Sequence, residues 1–158
     1  MTDQKGSTFA NRVVTLSPSE IMQGAMIGVM RQVQNLKTGH GVNYYGAKDH
    51  NSWTLHVEGA LGEMALAKYR GVYYAGMGRR GGMDVDDVDV RTTTYPNGCL
   101  IVHDADPDDR VIWLLTGVHG SYTVRGWILS SAAKRKEWIK DPQGGRAAYF
   151  VPQEALNV

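Results

Sequence analysis

The 158-residue sequence predicts an α/β protein, mixed α+β, with a central mixed sheet flanked by helices. Three observations carry that reading. Two segments, 18–39 and about 53–70, place apolar residues at helical spacing. From residue 72 onward the period changes to that of short strands, and 19 glycines supply turns throughout the chain.

In chain order, residues 1–16 are polar and mixed and are expected to be loosely ordered. Ser17-Pro18-Ser19-Glu20 is a capping box with proline at the first helical position. Ile21, Met22, Ala25, Met26, Val29, Met30, Val33 and Leu36 follow at helical spacing, so this face is expected to enter the core with its methionines filling gaps, as far as Gly39. After a connection over 39–52, a second helix from Trp53 to Arg70 stops at Gly71. Strands are expected at 72–75, 88–95, 99–103, 111–116 and 122–129, with Tyr95-Pro96-Asn97-Gly98 as a hairpin turn between the second and third. The run Val111-Ile112-Trp113-Leu114-Leu115 reads as a buried strand. A short basic helix near 132–140, a strand at 147–151 and a turn after Pro152 complete the pattern. With no internal repeat or linker, 1–158 reads as a single domain.

A content of 42% hydrophobic and 21% charged residues is that of a soluble globular chain. Seventeen basic against sixteen acidic side chains give a net charge of +1, so bulk charge does not indicate nucleic acid. The charges are segregated, however: acids cluster at 84–89 and 104–109, whereas Lys134, Arg135, Lys136, Lys140 and Arg146 make the last third basic. Cys99 is the single cysteine, which excludes an intrachain disulfide and fits a cytoplasmic setting. No apolar signal core or membrane-length run is present, so no membrane partner is expected.

The chemistry concentrates in two places. Glu63 lies on the second helix within Gly59-Ala60-Leu61-Gly62-Glu63-Met64-Ala65-Leu66-Ala67-Lys68. The stretch Asp84-Val85-Asp86-Asp87-Val88-Asp89-Val90-Arg91-Thr92-Thr93 alternates so that Asp87, Asp89 and Arg91 share one strand face and Val88 and Val90 the other. Carboxylates hold a hard divalent cation, which polarises a phosphate and lowers the pKa of a bound water, and a nearby cationic side chain stabilises the charge that develops. Glu63, Asp84, Asp87 and Asp89 are the candidate metal ligands, and Arg91 is the candidate clamp. On an uninterrupted strand Asp84 and Asp89 face opposite ways, so Asp84 joins the group only if a turn or bulge intervenes; otherwise Asp87 takes its place. The plain alternatives are a solvent-facing helix charge at Glu63, a charged edge strand at 84–89, and a surface ion pair of Arg91 with Asp89 or Asp87.

The order of helix glutamate, strand aspartate and acid-x-base tripeptide resembles the PD-(D/E)xK nuclease superfamily. The blocks 62–68, 89–93, 124–128 and 149–153 resemble small bacteriophage and metagenomic members of it, and the likeness covers about 53–156, the expected nuclease-like core. It implies a restriction-endonuclease-like fold preceded here by an additional N-terminal helix, and a Mg²⁺- or Mn²⁺-dependent endonuclease that hydrolyses DNA phosphodiesters. Glu63, Asp84 and Asp89 would hold the metal, and Arg91 would stabilise the scissile phosphate. The sequence departs from the family pattern at the tripeptide, Asp89-Val90-Arg91 in place of Glu or Gln, x, Lys, and in carrying Met83 where proline precedes the motif aspartate. Asp reaches less far than Glu, and Arg stays protonated and cannot act as a base. The alternative is a catalytically degenerate DNA-binding or protein-binding phage module with a structural, assembly or regulatory role.

Arg79 and Arg80, in a G-x-G-x-x-G loop without the helix a dinucleotide site needs, together with Lys134, Arg135 and Lys136, are the expected DNA-binding residues. Asp104-Ala105-Asp106-Pro107-Asp108-Asp109 lacks the glycine and glutamate of a calcium loop and reads as a polar turn. The histidines show no zinc-ligand spacing; His56 lies two turns before Glu63 on the same helix. The methionines of the first helix and Tyr44-Tyr45 would suit a homo-oligomer contact or the core equally.

Overall fold

The computed structural model describes residues 12–38, 51–76 and 82–158. Arg79, Arg80, Tyr44 and Tyr45 therefore lie outside the described residues. Helix α1 (Pro18–Lys37) begins with the expected capping box: the Ser17 amide donates to Glu20 Oε2 at 2.6 Å and the Glu20 amide to Ser17 Oγ at 3.2 Å. Helix α2 (Ser52–Arg70) is capped by Asn51, whose side chain accepts from the Trp53 amide, and ends where Gly71 turns left-handed (φ 68°).

The orientation of α1 overturns the expectation that its apolar face enters the core. Its buried residues are Gly24, Gly28 and Gln32, whereas Met22 and Met26 are 67% and 65% exposed and Val29, Met30, Val33 and Leu36 are exposed as well. The cause is close backbone approach to α2. A Cβ on Gly28 would lie 2.5 Å from Val57 Cα and 2.6 Å from the His56 carbonyl oxygen, so only glycine lets the two helices touch at that depth.

Among the described residues seven strands form two sheets: β1 (Val13–Thr15), β2 (Val88–Thr93), β3 (Leu100–Val102), β4 (Val111–Val118), β5 (Ser121–Leu129), β6 (Ile139–Lys140) and β7 (Ala148–Val151). The first sheet runs β1-β5-β4-β2, with β2 parallel to β4 and the other pairs antiparallel; the second runs β3-β7-β6, all antiparallel. The chain is thus mixed α+β with a mixed sheet, as its pattern predicts.

Four local expectations fail. Residues 12–16 are not loose: β1 pairs with β5, and Val14 and Leu16 are buried. Residues 72–76 form no strand. The Tyr95–Gly98 turn closes with a 2.9 Å hydrogen bond, yet β2 and β3 on either side enter different sheets, so it is not a hairpin. The basic helix shrinks to α3 (Ser130–Ala133), a 3₁₀ turn and β6. Turn signals specify local bends, while strand partners are chosen by long-range burial.

Strand β4 explains its own unbroken apolar sequence, because both of its faces are covered. Leu115, with the partly buried Val111 and Trp113, packs toward α2 among Leu61, Ala65 and Leu66; Ile112 and Leu114 pack toward the second sheet among Leu100, Val102 and Val151. A bulge in β5, where Leu114 and Leu115 oppose Gly126 and Val124, shifts the facing, so Val124 joins the first core and Ile128 the second. Among the described residues no helix is long and apolar enough to cross a membrane.

Candidate functional site

Strand β2 is an edge strand, and beside it opens a cleft of about 970 Å³. α1 contributes Arg31 and α2 contributes His56 and Glu63. β2 and its approach contribute Asp84, Asp89 and Arg91, and the second sheet with its loops supplies the far wall. Four of the residues named as candidates from sequence, Glu63, Asp84, Asp89 and Arg91, therefore meet at one place.

A tight turn settles which aspartate joins Asp89. Val85 and Val88 exchange two 3.0 Å backbone hydrogen bonds around Asp86 and Asp87, with Asp86 at φ 51°, a conformation that aspartate tolerates. The turn folds Asp84 back beside β2, where its Oδ2 accepts from the Val90 amide at 2.9 Å. Asp87 stands at the tip, largely exposed and paired with Arg70 at 3.1 Å, and does not line the cleft. The assignment of Asp87 as a metal ligand is thus corrected.

Glu63 is buried through the closeness of α2 to β2: a Cβ on Gly62 would meet the Thr92 side chain at 2.0 Å. Both its carboxylate oxygens are engaged. Arg31 donates to Oε1 at 2.8 Å and to Oε2 at 2.7 Å, and the Tyr74 hydroxyl donates to Oε2 at 2.7 Å. Arg31 also donates to the Gly76 carbonyl at 2.6 Å. Burial opposes the Arg31 charge, but its hydrogen bonds to Glu63 and the carboxylate's charge raise its pKa; burial and Glu63 raise that of Tyr74.

Asp89 and Arg91 do not pair with each other. Asp89 accepts from Arg110 at 3.0 Å, and Arg91 donates to both oxygens of Asp106 at 3.2 and 3.3 Å. Burial, then the charge of Glu63, pushes Asp84 above the ordinary carboxylate range; burial, then Asp84, does the same to Asp89, with Arg110 and Arg91 acting against it. Both histidines of the cleft are lowered by burial, His56 further by Arg31, and His103 further by Arg91 and Arg146 with Asp106 acting against them.

The donor set bears on a divalent cation in two ways. Asp84 and Asp89 offer hard oxygen donors of the kind Mg²⁺ or Mn²⁺ takes, and their pKa values are raised first by burial and then by a neighbouring carboxylate. Against this, Arg31 and Tyr74 already take both oxygens of Glu63, and among the described residues no three His, Cys, Asp or Glu side chains are grouped closely enough to hold a metal ion. A cation at Glu63 would have to displace Arg31 from both carboxylate oxygens. As folded, four acids (Glu63, Asp84, Asp89, Asp106) line the cleft with four arginines (Arg31, Arg91, Arg110, Arg146).

The expected basic surface is only partly present. Lys134 is turned inward, its ammonium held at 2.9, 2.7 and 2.7 Å by the Asp104 and Asp106 carbonyls and Asp108 Oδ1, so a side-chain cation occupies the turn that sequence compares with a calcium loop. Arg135, stacked on Trp138 at 4.9 Å, and Lys136 are exposed but do not line the cleft.

Arg31, Tyr74, Arg110, Asp106 and His103 were not foreseen, since each reaches the site from a distant element. One signal was available for Arg31: residues 21–30 carry no charge, and Arg31 follows Gly28 by three positions, on the same helical face. No family model matches the chain, and neither does any curated protein or solved structure.

Proposed function

We propose that the chain is a restriction-endonuclease-like, metal-dependent DNA nuclease of the PD-(D/E)xK kind, and that the cleft beside β2 is where a phosphodiester is cut. The observation that carries this reading is the convergence of Glu63, Asp84, Asp89 and Arg91 on that cleft. Glu63, Asp84 and Asp89 would hold Mg²⁺ or Mn²⁺, which supplies Lewis acidity and a water of lowered pKa when bound. Arg91 and Arg110, carried beside Asp89, bind the phosphate and offset its developing charge. Arg91 cannot accept a proton, so the base lies elsewhere. His103 fills that role: it lines the cleft with Arg91, and burial shifts it toward the neutral form against the opposing charge of Asp106.

One observation favours the second reading, a DNA-binding or protein-binding module that has lost catalysis: Arg31 occupies the carboxylate a metal would need. The experiment that decides is incubation of supercoiled plasmid, single-stranded DNA and a branched duplex with the protein and Mn²⁺. Nicking that Glu63→Ala abolishes supports the nuclease. Inertness on all three substrates removes it, and cleavage regained by Asp89→Glu with Arg91→Lys identifies a degenerate site.

A further inference from the structure

The far wall of the cleft is apolar where the fold does not require it to be. Strands β3 and β7 alternate, so Leu100, Val102 and Val151 enter the second core while Ile101 and Phe150 point the other way, into the cleft. Ile101 and Phe150 are direct cross-strand partners, and Ile101 is 36% exposed. Pro107 and Pro142 flank them with rigid apolar surface. An aromatic and a β-branched side chain on the outer face of a sheet add little to the core. Here they face arginines and carboxylates across a 970 Å³ space.

With a phosphate at Arg91 and Arg110, as the phosphodiester reading has it, a ligand matching both walls is anionic at one end and flat and apolar at the other. We propose that Ile101 and Phe150 form a stacking wall for an unpaired nucleobase, so that the cleft takes single-stranded or flap DNA in preference to continuous duplex. The inference rests on the phosphodiester reading above and adds to it the form of the substrate. In a duplex each base face lies against its neighbours in the stack and only phosphates and groove edges are outward, so no base can lie flat on a wall. An unpaired base can, and stacking on one aromatic side chain is tolerant of sequence.

The test is fluorescence-anisotropy titration of the native protein, in EDTA to prevent cleavage, with a labelled single strand, the same strand with abasic residues at its centre, and the corresponding duplex. The single strand is expected to bind more tightly than the other two. Phe150→Ala is expected to weaken it by about 5- to 100-fold, leaving the abasic strand and the duplex unchanged, with Phe150→Tyr restoring affinity. Ile101→Ala, a smaller excision, is expected to give a smaller loss with the same selectivity, and carries the test if Phe150→Ala does not fold. Equal, salt-dependent binding of all three probes, or a Phe150→Ala effect that ignores the missing bases, overturns the stacking wall while leaving the phosphate reading standing. Absence of binding to every probe at low salt overturns both.

Discussion

Arg31 and Glu63, 32 positions apart, meet in a two-pronged ion pair that ties α1 to α2 in the lining of the cleft, with hydrogen bonds of 2.8 and 2.7 Å. The pair is mostly shielded, the two side chains being 25% and 9% exposed. Its geometry makes Arg31 both a stabilising contact and a competitor for any cation that Glu63 would bind.

Removing only the arginine leaves a buried carboxylate with one neutral donor, Tyr74. Arg31→Ala is therefore expected to lower unfolding free energy by about 2–4 kcal/mol, and Glu63→Gln in the same chain to recover part of it, as for a buried pair that loses one partner. Urea denaturation of the two single variants and the double variant measures the coupling. The same substitution should increase the thermal shift produced by Mn²⁺, because the freed carboxylate becomes available. Independent effects of the two substitutions, or an unchanged Mn²⁺ shift, would show that Arg31 and the cation do not compete.

The two helices touch through glycine, which gives a contrast between two substitutions of one kind. Gly28→Ala places its methyl against the backbone of Val57 and His56, and is expected to cost about 1–3 kcal/mol or more while weakening the Arg31 contact one turn onward. Gly59→Ala on α2 meets nothing within 4 Å and should stabilise by about 0.5–1 kcal/mol through helix propensity. Melting temperatures that move in the same direction for both would refute the packing argument.

What the sequence revealed follows from how far each signal reaches along the chain. The cap at Ser17, the helix stop at Gly71 and the strand at 111–115 are local patterns that the structure forms, and the acids at 63, 84 and 89 line one cleft. Apolar periodicity marks a stripe on α1 without naming what covers it, and two glycines on the opposite side outweigh six apolar side chains in setting its facing. The choice between Asp84 and Asp87 hung on a two-residue turn that the pattern Val-Asp-Asp-Val permits but does not impose. The partners of Asp89 and Arg91 come from the segment before β4, a pairing that depends on the parallel placement of β2 beside β4 and leaves no mark in local sequence.

The raised carboxylates predict how stability varies with pH. Asp84 and Asp89 bind protons more tightly in the folded than in the unfolded chain, so between the ordinary value of 3.8 and their raised values the folded state holds the extra protons. Their contribution thus turns unfavourable as pH rises through that window, and stability falls with it. Asp84→Asn keeps an acceptor for the Val90 amide and removes the charge. It is expected to melt higher than the native protein at pH 7, with the advantage shrinking toward pH 4. A variant less stable at pH 7, or a difference independent of pH, would contradict this origin of the shift.

His103 supplies the last prediction, which concerns rate. A general base must be unprotonated, and burial with Arg91 and Arg146 nearby lowers the His103 pKa from 6.5. Nicking is therefore expected to rise with pH below that value and to be level by neutrality. Asp84 and Asp89 must also ionise to serve as the proposed ligands, so carboxylate titration adds a second rising limb to the native profile. His103→Asn separates them: it should reduce the rate by about 10²–10⁴-fold and leave only the carboxylate limb, with Mn²⁺ binding unaltered. His103→Asn acting at the native rate would assign the proton to another group, with His56 across the cleft as the next to replace.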